Sequence, residues 1–136
     1  MTTIFFSWQS DLPNKTNRNL IENSIKLALK KMNQDSPYSL ITEIDRDTKG
    51  VLGSPDIVDS ILTKIDKCSL FIADISIINS SLNGKRTPNP NVLFELGYAV
   101  KCLGWDRVIC VFNSDFGDVS ELPFDLRNRR ILTYET

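Results

Sequence analysis

A single carboxylate in an apolar helix is the feature of this sequence best placed to do chemistry. Glu95 is the only charged residue in the segment 87–100, and a helix start precedes it. There, Asn89 can cap the helix and Pro90 suits its first position. The apolar residues recur at helical spacing and predict a buried stripe: Val92, Leu96, Ala99, Val100 and Leu103. Gly97 costs about 1 kcal/mol in a helix relative to Ala, so we expect it to let another group approach closely.

The chain contains no histidine, and this absence limits the chemistry in which Glu95 could take part. Ser-His-Asp and Cys-His catalysis are excluded, as are metal sites built on imidazole ligands. Any reaction must use carboxylates, hydroxyls, amides, Arg or Lys, and we predict neither a metal nor a resident cofactor. The three cysteines, Cys68, Cys102 and Cys110, have no C-x-x-C spacing. We expect them to be reduced thiols at small core positions.

Length and composition indicate one ordinary globular domain spanning residues 1–136. Of the 136 residues, 41% are hydrophobic and 24% are charged, and the net charge is −1. This balance offers no electrostatic basis for binding nucleic acid or an anionic membrane. Met1–Ser7 lacks the basic region of a signal peptide, and no apolar run approaches the roughly 18 residues of a spanning helix. We therefore expect a cytoplasmic protein.

Short apolar segments alternate with stretches of helical periodicity along the chain. Five segments rich in branched and aromatic residues predict strands: Thr3–Trp8, Tyr38–Ile44, Ser69–Ile75, Arg107–Phe112 and Arg130–Tyr134. Helices are predicted from about Thr16, from Pro55 with Ser54 as its cap, and from Pro90. The alternation predicts an α/β, flavodoxin-like fold of three layers, with a five-stranded parallel sheet in the order 2-1-3-4-5.

The first two predicted helices each show an apolar face at helical spacing. The first face comprises Leu20, Ile21, Ser24, Ile25, Ala28, Leu29 and Met32. The second face comprises Ile57, Val58, Ile61, Leu62 and Ile65. Because helices cover the faces of a parallel sheet, we expect both faces to be buried against the strands.

Polar residues gather where the predicted strands end. Open α/β sheets bind ligands outside the carboxyl ends of their strands, near the point where the strand order reverses. In the predicted order this point lies between the first and third strands. Four segments would meet there: Ser7–Asp11, Asp45–Ser54, Asp74–Ser76 and Asn89–Glu95.

Three of these segments resemble a known family. Ile4–Asp11 (IFFSWQSD) resembles the first strand and loop of Toll/interleukin-1 receptor (TIR) domains, and Gly53–Ile57 (GSPDI) resembles their mobile loop. Asn89–Ala99 (NPNVLFELGYA) is similar to the helix of bacterial TIR-like domains that contains the catalytic Glu. The same helix is also similar to that of nucleoside 2-deoxyribosyltransferases. The family's Ser-x-Trp-Cys-x-x-Glu pattern is replaced here by Asn89–Glu95.

The resemblance implies that the protein cleaves the nicotinamide–ribose bond of NAD⁺ in bacterial antiphage defence. It also implies that several copies assemble, and that a sensor domain for a cyclic nucleotide follows in a longer chain. NAD⁺ is then a substrate rather than a cofactor. The reaction develops positive charge on the ribose, while nicotinamide leaves as a neutral molecule. One carboxylate can stabilise that charge, and Glu95 is the predicted catalytic residue.

Eight further residues are predicted to bind the substrate: Ser7, Trp8, Asp11, Arg46, Asp47, Ser54, Asp74 and Asn91. Each also has a structural interpretation. Trp8 could stack on nicotinamide or adenine, or lie in the core. Asp11 could hold a ribose hydroxyl or cap the first helix. Asp74 could also hold a ribose hydroxyl, or it could stabilise a turn. Arg46 and Asp47 could contact phosphates or a neighbouring subunit, or lie in a solvated loop.

Two other functions remain open at this point. A nucleoside 2-deoxyribosyltransferase-like N-glycosidase would use Glu95 as its nucleophile and would not need NAD⁺. Alternatively, a non-enzymatic module could bind other TIR domains or a nucleotide signal through the loop Arg46–Ser54.

Overall fold

The computed structural model describes residues 2–35, 42–45 and 56–136. Its strands are β1 (Thr2–Ser7), β2 (Thr42–Asp45), β3 (Leu70–Asp74), β4 (Val108–Asn113) and β5 (Ile131–Tyr134). They form one five-stranded sheet in the order β2-β1-β3-β4-β5, in which all neighbours are parallel. The predicted flavodoxin-like α/β fold is confirmed.

The described helices follow the predicted pattern with shifted ends. They are α1 (Arg18–Asp35), α2 (Ile57–Lys67), α3 (Pro90–Leu103) and the single turn α4 (Phe124–Arg127). Three short 3₁₀ turns lie at Trp105–Arg107, Ser114–Phe116 and Val119–Glu121. Among the described helices, none is both long and apolar enough to cross a bilayer.

Each face of the sheet has its own core, because neighbouring residues of a strand point to opposite faces. On one face, Phe5 and Phe71 stack with ring centroids 5.7 Å apart, and α2 and α3 cover them through residues such as Ile65 and Leu96. On the other face, α1 covers a smaller cluster: Ile4, Phe6, Ile21, Ile25 and Ile72. This alternation decides which residues of β1 can face α3.

The helix starts show one confirmed prediction and one wrong one. Asn89 caps α3 as predicted: its side-chain oxygen accepts hydrogen bonds from the backbone N–H groups of Asn91 and Val92, at 2.8 and 3.1 Å. Helix α2 was predicted to start at Pro55, but it starts at Ile57. Asp56 is its cap, because the Asp56 side chain accepts the backbone N–H of Asp59 at 3.1 Å.

The predicted apolar face of α1 is buried only along one side. Ile21 and Ile25 are buried, whereas Ser24 and Ala28 are exposed and Met32 is 54% exposed. The reason is that part of this face borders an open groove of about 310 Å³ rather than the sheet core. The opposite wall of the groove is formed by β4 and β5, and includes Ile109, Val111, Leu132 and Tyr134.

Among the described residues, no side chain or neighbouring element makes the close approach predicted at Gly97. A Cβ built at this helical position meets no described atom within 4 Å outside the backbone of α3, and the residue is exposed. Of the four described glycines, Gly117 has a tight neighbour: an added Cβ would lie 2.8 Å from Cγ1 of the buried Ile77.

Alanine at these two glycines should have opposite effects on stability. We expect Gly97→Ala to raise the free energy of unfolding by about 0.5–1 kcal/mol, because alanine favours the helix and meets no neighbour. We expect Gly117→Ala to lower it by about 1–3 kcal/mol through overpacking against Ile77. Urea unfolding of both variants measures the difference, and a loss of stability in Gly97→Ala would show that α3 has a neighbour on that side.

The cysteines are free thiols, as predicted, but they are not all core residues. Cys68 and Cys110 are buried, whereas Cys102 is exposed on α3. Burial raises the pKa of both buried thiols, that of Cys110 to about 11.

The thiols should therefore differ in reactivity. With a disulfide reagent at pH 8, we expect one fast-reacting thiol per native chain, Cys102. Cys68 and Cys110 should react only after denaturation, because they are buried and hold little thiolate at that pH. The variant Cys102→Ser should lose the fast phase, and two or more fast thiols in the native protein would contradict the burial described above.

Candidate functional site

The end of β1 and the second turn of α3 bring Ser7 and Glu95 together. The Ser7 hydroxyl donates a hydrogen bond of 2.7 Å to Oε1 of Glu95. Ser7 is only 1% exposed, and Glu95 is half-buried. Ser7 faces α3 because it shares the sheet face of Phe5, which belongs to the core under α2 and α3. A buried hydroxyl thus fixes one carboxylate oxygen at the carboxyl edge of the sheet.

A cavity of about 240 Å³ opens beside this pair, between α2 and α3. Most of its lining is apolar: Ile57, Val58, Ile61, Leu62 and Phe94. The described lining also includes two polar residues, Asn91 and Glu95. Among the described residues, Glu95 is the only ionisable side chain in this lining. An apolar cavity with a carboxylate on its wall can enclose an aromatic ring while the carboxylate contacts the atom next to it.

The rim of this cavity contains large apolar side chains that the fold does not bury. Ile57 is 61% exposed, Val58 is 52% exposed and Phe94 is 59% exposed. Burial was predicted for Ile57 and Val58, and it is wrong for these two because the first turn of α2 lies beside the cavity. Sequence analysis missed all three as site residues, although Phe94 is adjacent to Glu95 and outside the predicted buried stripe. Three exposed apolar side chains around one cavity are typical of a ligand site.

Asn91 lies on the cavity wall, where a residue that binds the substrate is expected. Its backbone N–H donates to the Asn89 side chain at 2.8 Å, so Asn89 alone provides the helix cap. The Asn91 side chain is exposed and lines the cavity together with Glu95.

Asp11 contacts α3 and not the start of α1. Its Oδ2 accepts a hydrogen bond of 2.6 Å from the side-chain amide of Asn89. The loop after β1 is thereby joined to the cap of the helix that contains Glu95. In this arrangement Asp11 positions the loop, and the alternative in which it caps the first helix is wrong.

Trp8 is placed on the opposite side of the sheet from Glu95. It follows Ser7 in the strand direction, so it points to the other face and packs against the α1 cluster. The Arg18 guanidinium lies 3.7 Å from the centre of its ring. The structure therefore places Trp8 with α1, as its core interpretation expected, and not with Glu95.

Asp74 is fully buried and does not face the cavity. Its Oδ2 accepts hydrogen bonds from the side-chain amides of Gln9 (2.8 Å) and Asn17 (3.0 Å). Its Oδ1 accepts the backbone N–H of Ser76 (3.1 Å) and the Ser76 hydroxyl (2.6 Å). All four partners donate to the carboxylate, so the structure assigns Asp74 to the interior of the protein, where it joins the ends of three segments.

The network around Asp74 extends to β4 and β5. The Ser76 hydroxyl accepts the backbone N–H of Asn113 at 2.8 Å, and the Tyr134 hydroxyl donates to the carbonyl of Thr16 at 2.7 Å. Burial raises the pKa of Tyr134 above its ordinary value, and the negative charge of Asp74 adds to that effect. The phenol therefore stays a donor well into the alkaline range.

Three predicted site residues, Arg46, Asp47 and Ser54, lie outside the described residues, and their roles remain predictions. Within the described parts of the chain, no group of three or more His, Cys, Asp or Glu side chains could hold a metal ion.

Comparison with known proteins yields structural likenesses and no sequence match. No protein-family model matches the chain, and no curated protein matches it. The fold is similar to that of a 2-desoxiribosyltransferase from Leishmania mexicana, with a TM-score of 0.53 and 20% sequence identity. The match covers 82% of this chain and 65% of that protein. The chain thus spans about two thirds of the length of this neighbour, and the likeness concerns the α/β fold.

Proposed function

We propose that this chain is an enzyme that cleaves the N-glycosidic bond of a nucleoside or nucleotide, with Glu95 as its catalytic carboxylate. The observation that supports the proposal most directly is the contact between Ser7 and Glu95 at the wall of an apolar cavity. The cavity suits a heterocyclic base, and the carboxylate suits the sugar carbon bonded to it. The fold of the 2-desoxiribosyltransferase supports the same class of reaction.

The chemistry requires a carboxylate at the sugar and, for a purine or pyrimidine, a proton for the leaving base. As the bond between the anomeric carbon and the base nitrogen breaks, its electron pair leaves with the base and positive charge develops on the sugar. The Glu95 carboxylate either stabilises that charge or attacks the anomeric carbon and forms a glycosyl ester. In either case, water or another base then bonds to the anomeric carbon, and in the second case it displaces Glu95. The incoming group loses a proton to solvent, and a departing purine or pyrimidine takes one up. The Ser7 hydroxyl orients the carboxylate for either role.

A second candidate is cleavage of NAD⁺. It is favoured by the fact that Glu95 is the only ionisable group in the described lining of the cavity. A purine or pyrimidine usually leaves with the help of an acid, whereas the pyridinium ring of NAD⁺ needs no proton to leave as nicotinamide. A TIR-like role in antiphage defence, with activity that depends on assembly and on a downstream sensor domain, belongs to this second candidate.

A substrate panel tests the proposal and separates the two candidates. Base release from 2′-deoxynucleosides, ribonucleosides, nucleotides and NAD⁺ is followed by liquid chromatography, at dilute and at high protein concentration. Transfer of deoxyribose to an added base, with a glycosyl ester trapped on Glu95, supports the first candidate. Nicotinamide release from NAD⁺ alone supports the second. The absence of turnover at every concentration contradicts both and favours the non-enzymatic module.

A further inference from the structure

The cavity beside Glu95 is the right size for one ring system. Its volume of about 240 Å³ is below the range of roughly 300–1,000 Å³ for sites that enclose a whole drug-sized ligand. A complete nucleotide would not fit inside it. With the sugar at Glu95, as the proposed function requires, the cavity holds the leaving base, and its apolar walls cover the faces of that ring.

The edge of the base then has one polar partner in the described lining. Of the two polar residues there, Glu95 is assigned to the sugar, and Asn91 remains for the base. Asn91 precedes Glu95 by four residues on α3, which places it on the same helix face and about 6 Å further along the axis. Such a spacing matches the separation between the sugar-bonded atom of a base and the substituents on its outer edge.

The Asn91 side chain is available for this contact. Asn89 accepts the backbone N–H groups at the helix start, so the Asn91 amide has no capping role. Within the described residues it makes no hydrogen bond, and it is exposed to the cavity. An Asn amide offers a carbonyl acceptor beside an N–H₂ donor, and it pairs best with a ligand edge that presents a donor beside an acceptor.

We infer that Asn91 selects the leaving base, and that the base it selects presents a hydrogen-bond donor beside an acceptor on its outer edge. The carboxamide of nicotinamide and the lactam edge of hypoxanthine both meet this requirement. 3-Acetylpyridine lacks the donor and purine lacks the lactam edge, so neither analogue meets the requirement. The inference rests on the proposed function and adds the residue that sets its base specificity.

Paired substrates test the inference. Each pair contains a base with the full edge and its analogue: NAD⁺ with its 3-acetylpyridine analogue, and 2′-deoxyinosine with purine 2′-deoxyriboside. We expect the wild-type protein to favour the full edge by at least about 10-fold in kcat/KM. Asn91→Leu should reduce this preference to less than about 3-fold, chiefly by slowing turnover of the substrates with the full edge. Asn23→Leu, at an exposed position of α1, is the matched control and should retain the wild-type preference.

A binding measurement separates failure of this inference from failure of the proposed function. Free nicotinamide and hypoxanthine are titrated into ¹⁵N-labelled protein, with pyridine and purine as their counterparts. We expect the first two to shift the Asn91 side-chain amide resonance and the other two to leave it in place. If the shifts occur without turnover of any substrate, the inference stands as a base-binding site and the proposed function fails. If turnover depends on Glu95 but Asn91→Leu keeps the wild-type preference, the inference is overturned and the proposed function stands.

Discussion

We expect Glu95→Gln to lower the rate of base release by about 1,000-fold or more. Glutamine keeps the size of the side chain, and its carbonyl oxygen can still accept the hydrogen bond from Ser7. The substitution therefore removes the negative charge that faces the sugar and leaves the contact in place. A positively charged transition state loses its main electrostatic partner, and a glycosyl ester can no longer form. Single-turnover kinetics on the best substrate of the panel measure the loss.

The control for this prediction is Glu135→Gln, at an exposed residue directly after β5. It should retain the wild-type rate. The circular dichroism spectrum of Glu95→Gln should match the wild type, since the hydrogen bond to Ser7 remains possible. If Glu95→Gln keeps the wild-type rate, the catalytic carboxylate is elsewhere in the chain.

Asp74→Asn should be the most destabilising of the polar substitutions at the sheet edge. The four groups that donate to Asp74 come from Gln9, Asn17 and Ser76. Asparagine replaces one acceptor oxygen with a donor, so at least one amide or hydroxyl loses its partner in a fully buried place. Because a hydrogen bond to a charged group contributes about 1.5–3 kcal/mol, we expect a loss of about 2–3 kcal/mol. That loss corresponds to a melting temperature lower by roughly 10 °C.

Thermal and urea unfolding measure this loss, and Asp106→Asn serves as the control. Asp106 is exposed in the 3₁₀ turn before β4, and its substitution should change the free energy of unfolding by less than about 0.5 kcal/mol. A stability of Asp74→Asn within that margin would contradict the structural role. Asp74 would then again be a candidate for contact with the substrate.

Local patterns were sufficient to predict the fold. Strand periodicity and the Asn89-Pro90 helix start depend on neighbours in sequence, and both were correct. The meeting of Ser7 with the Glu95 segment also followed from sequence, because the strand order brings these segments to one edge. Adjacent residues of a strand face opposite sides of the sheet. The placement of Trp8 on the other side of the sheet from Ser7 was therefore predictable.

The remaining details depend on contacts that a sequence does not contain. The environment of Gly97 depends on which side of α3 has a neighbour, and no local pattern indicates that. The spacing of apolar residues in α2 does not indicate where the sheet under the helix ends. The exposure of Ile57 and Val58 was therefore missed. Asp74 has partners 57 and 65 residues away. The residues next to it in sequence therefore could not show whether it contacts a substrate or accepts hydrogen bonds inside the protein.

The hydrogen bonds at the carboxyl edge also determine when the site can form during folding. Ser7 and Glu95 are 88 residues apart, and Thr16 and Tyr134 are 118 residues apart. Residues so far apart in sequence can meet only after the chain between them has lost the entropy of loop closure. This loss comes before the contact contributes any stability, and it therefore slows folding. During synthesis, β1 and α1 must wait for β5 before the edge is complete. We therefore expect the contact between Ser7 and Glu95 to form only after α3 has left the ribosome, and the contact between Thr16 and Tyr134 only after β5 has done so.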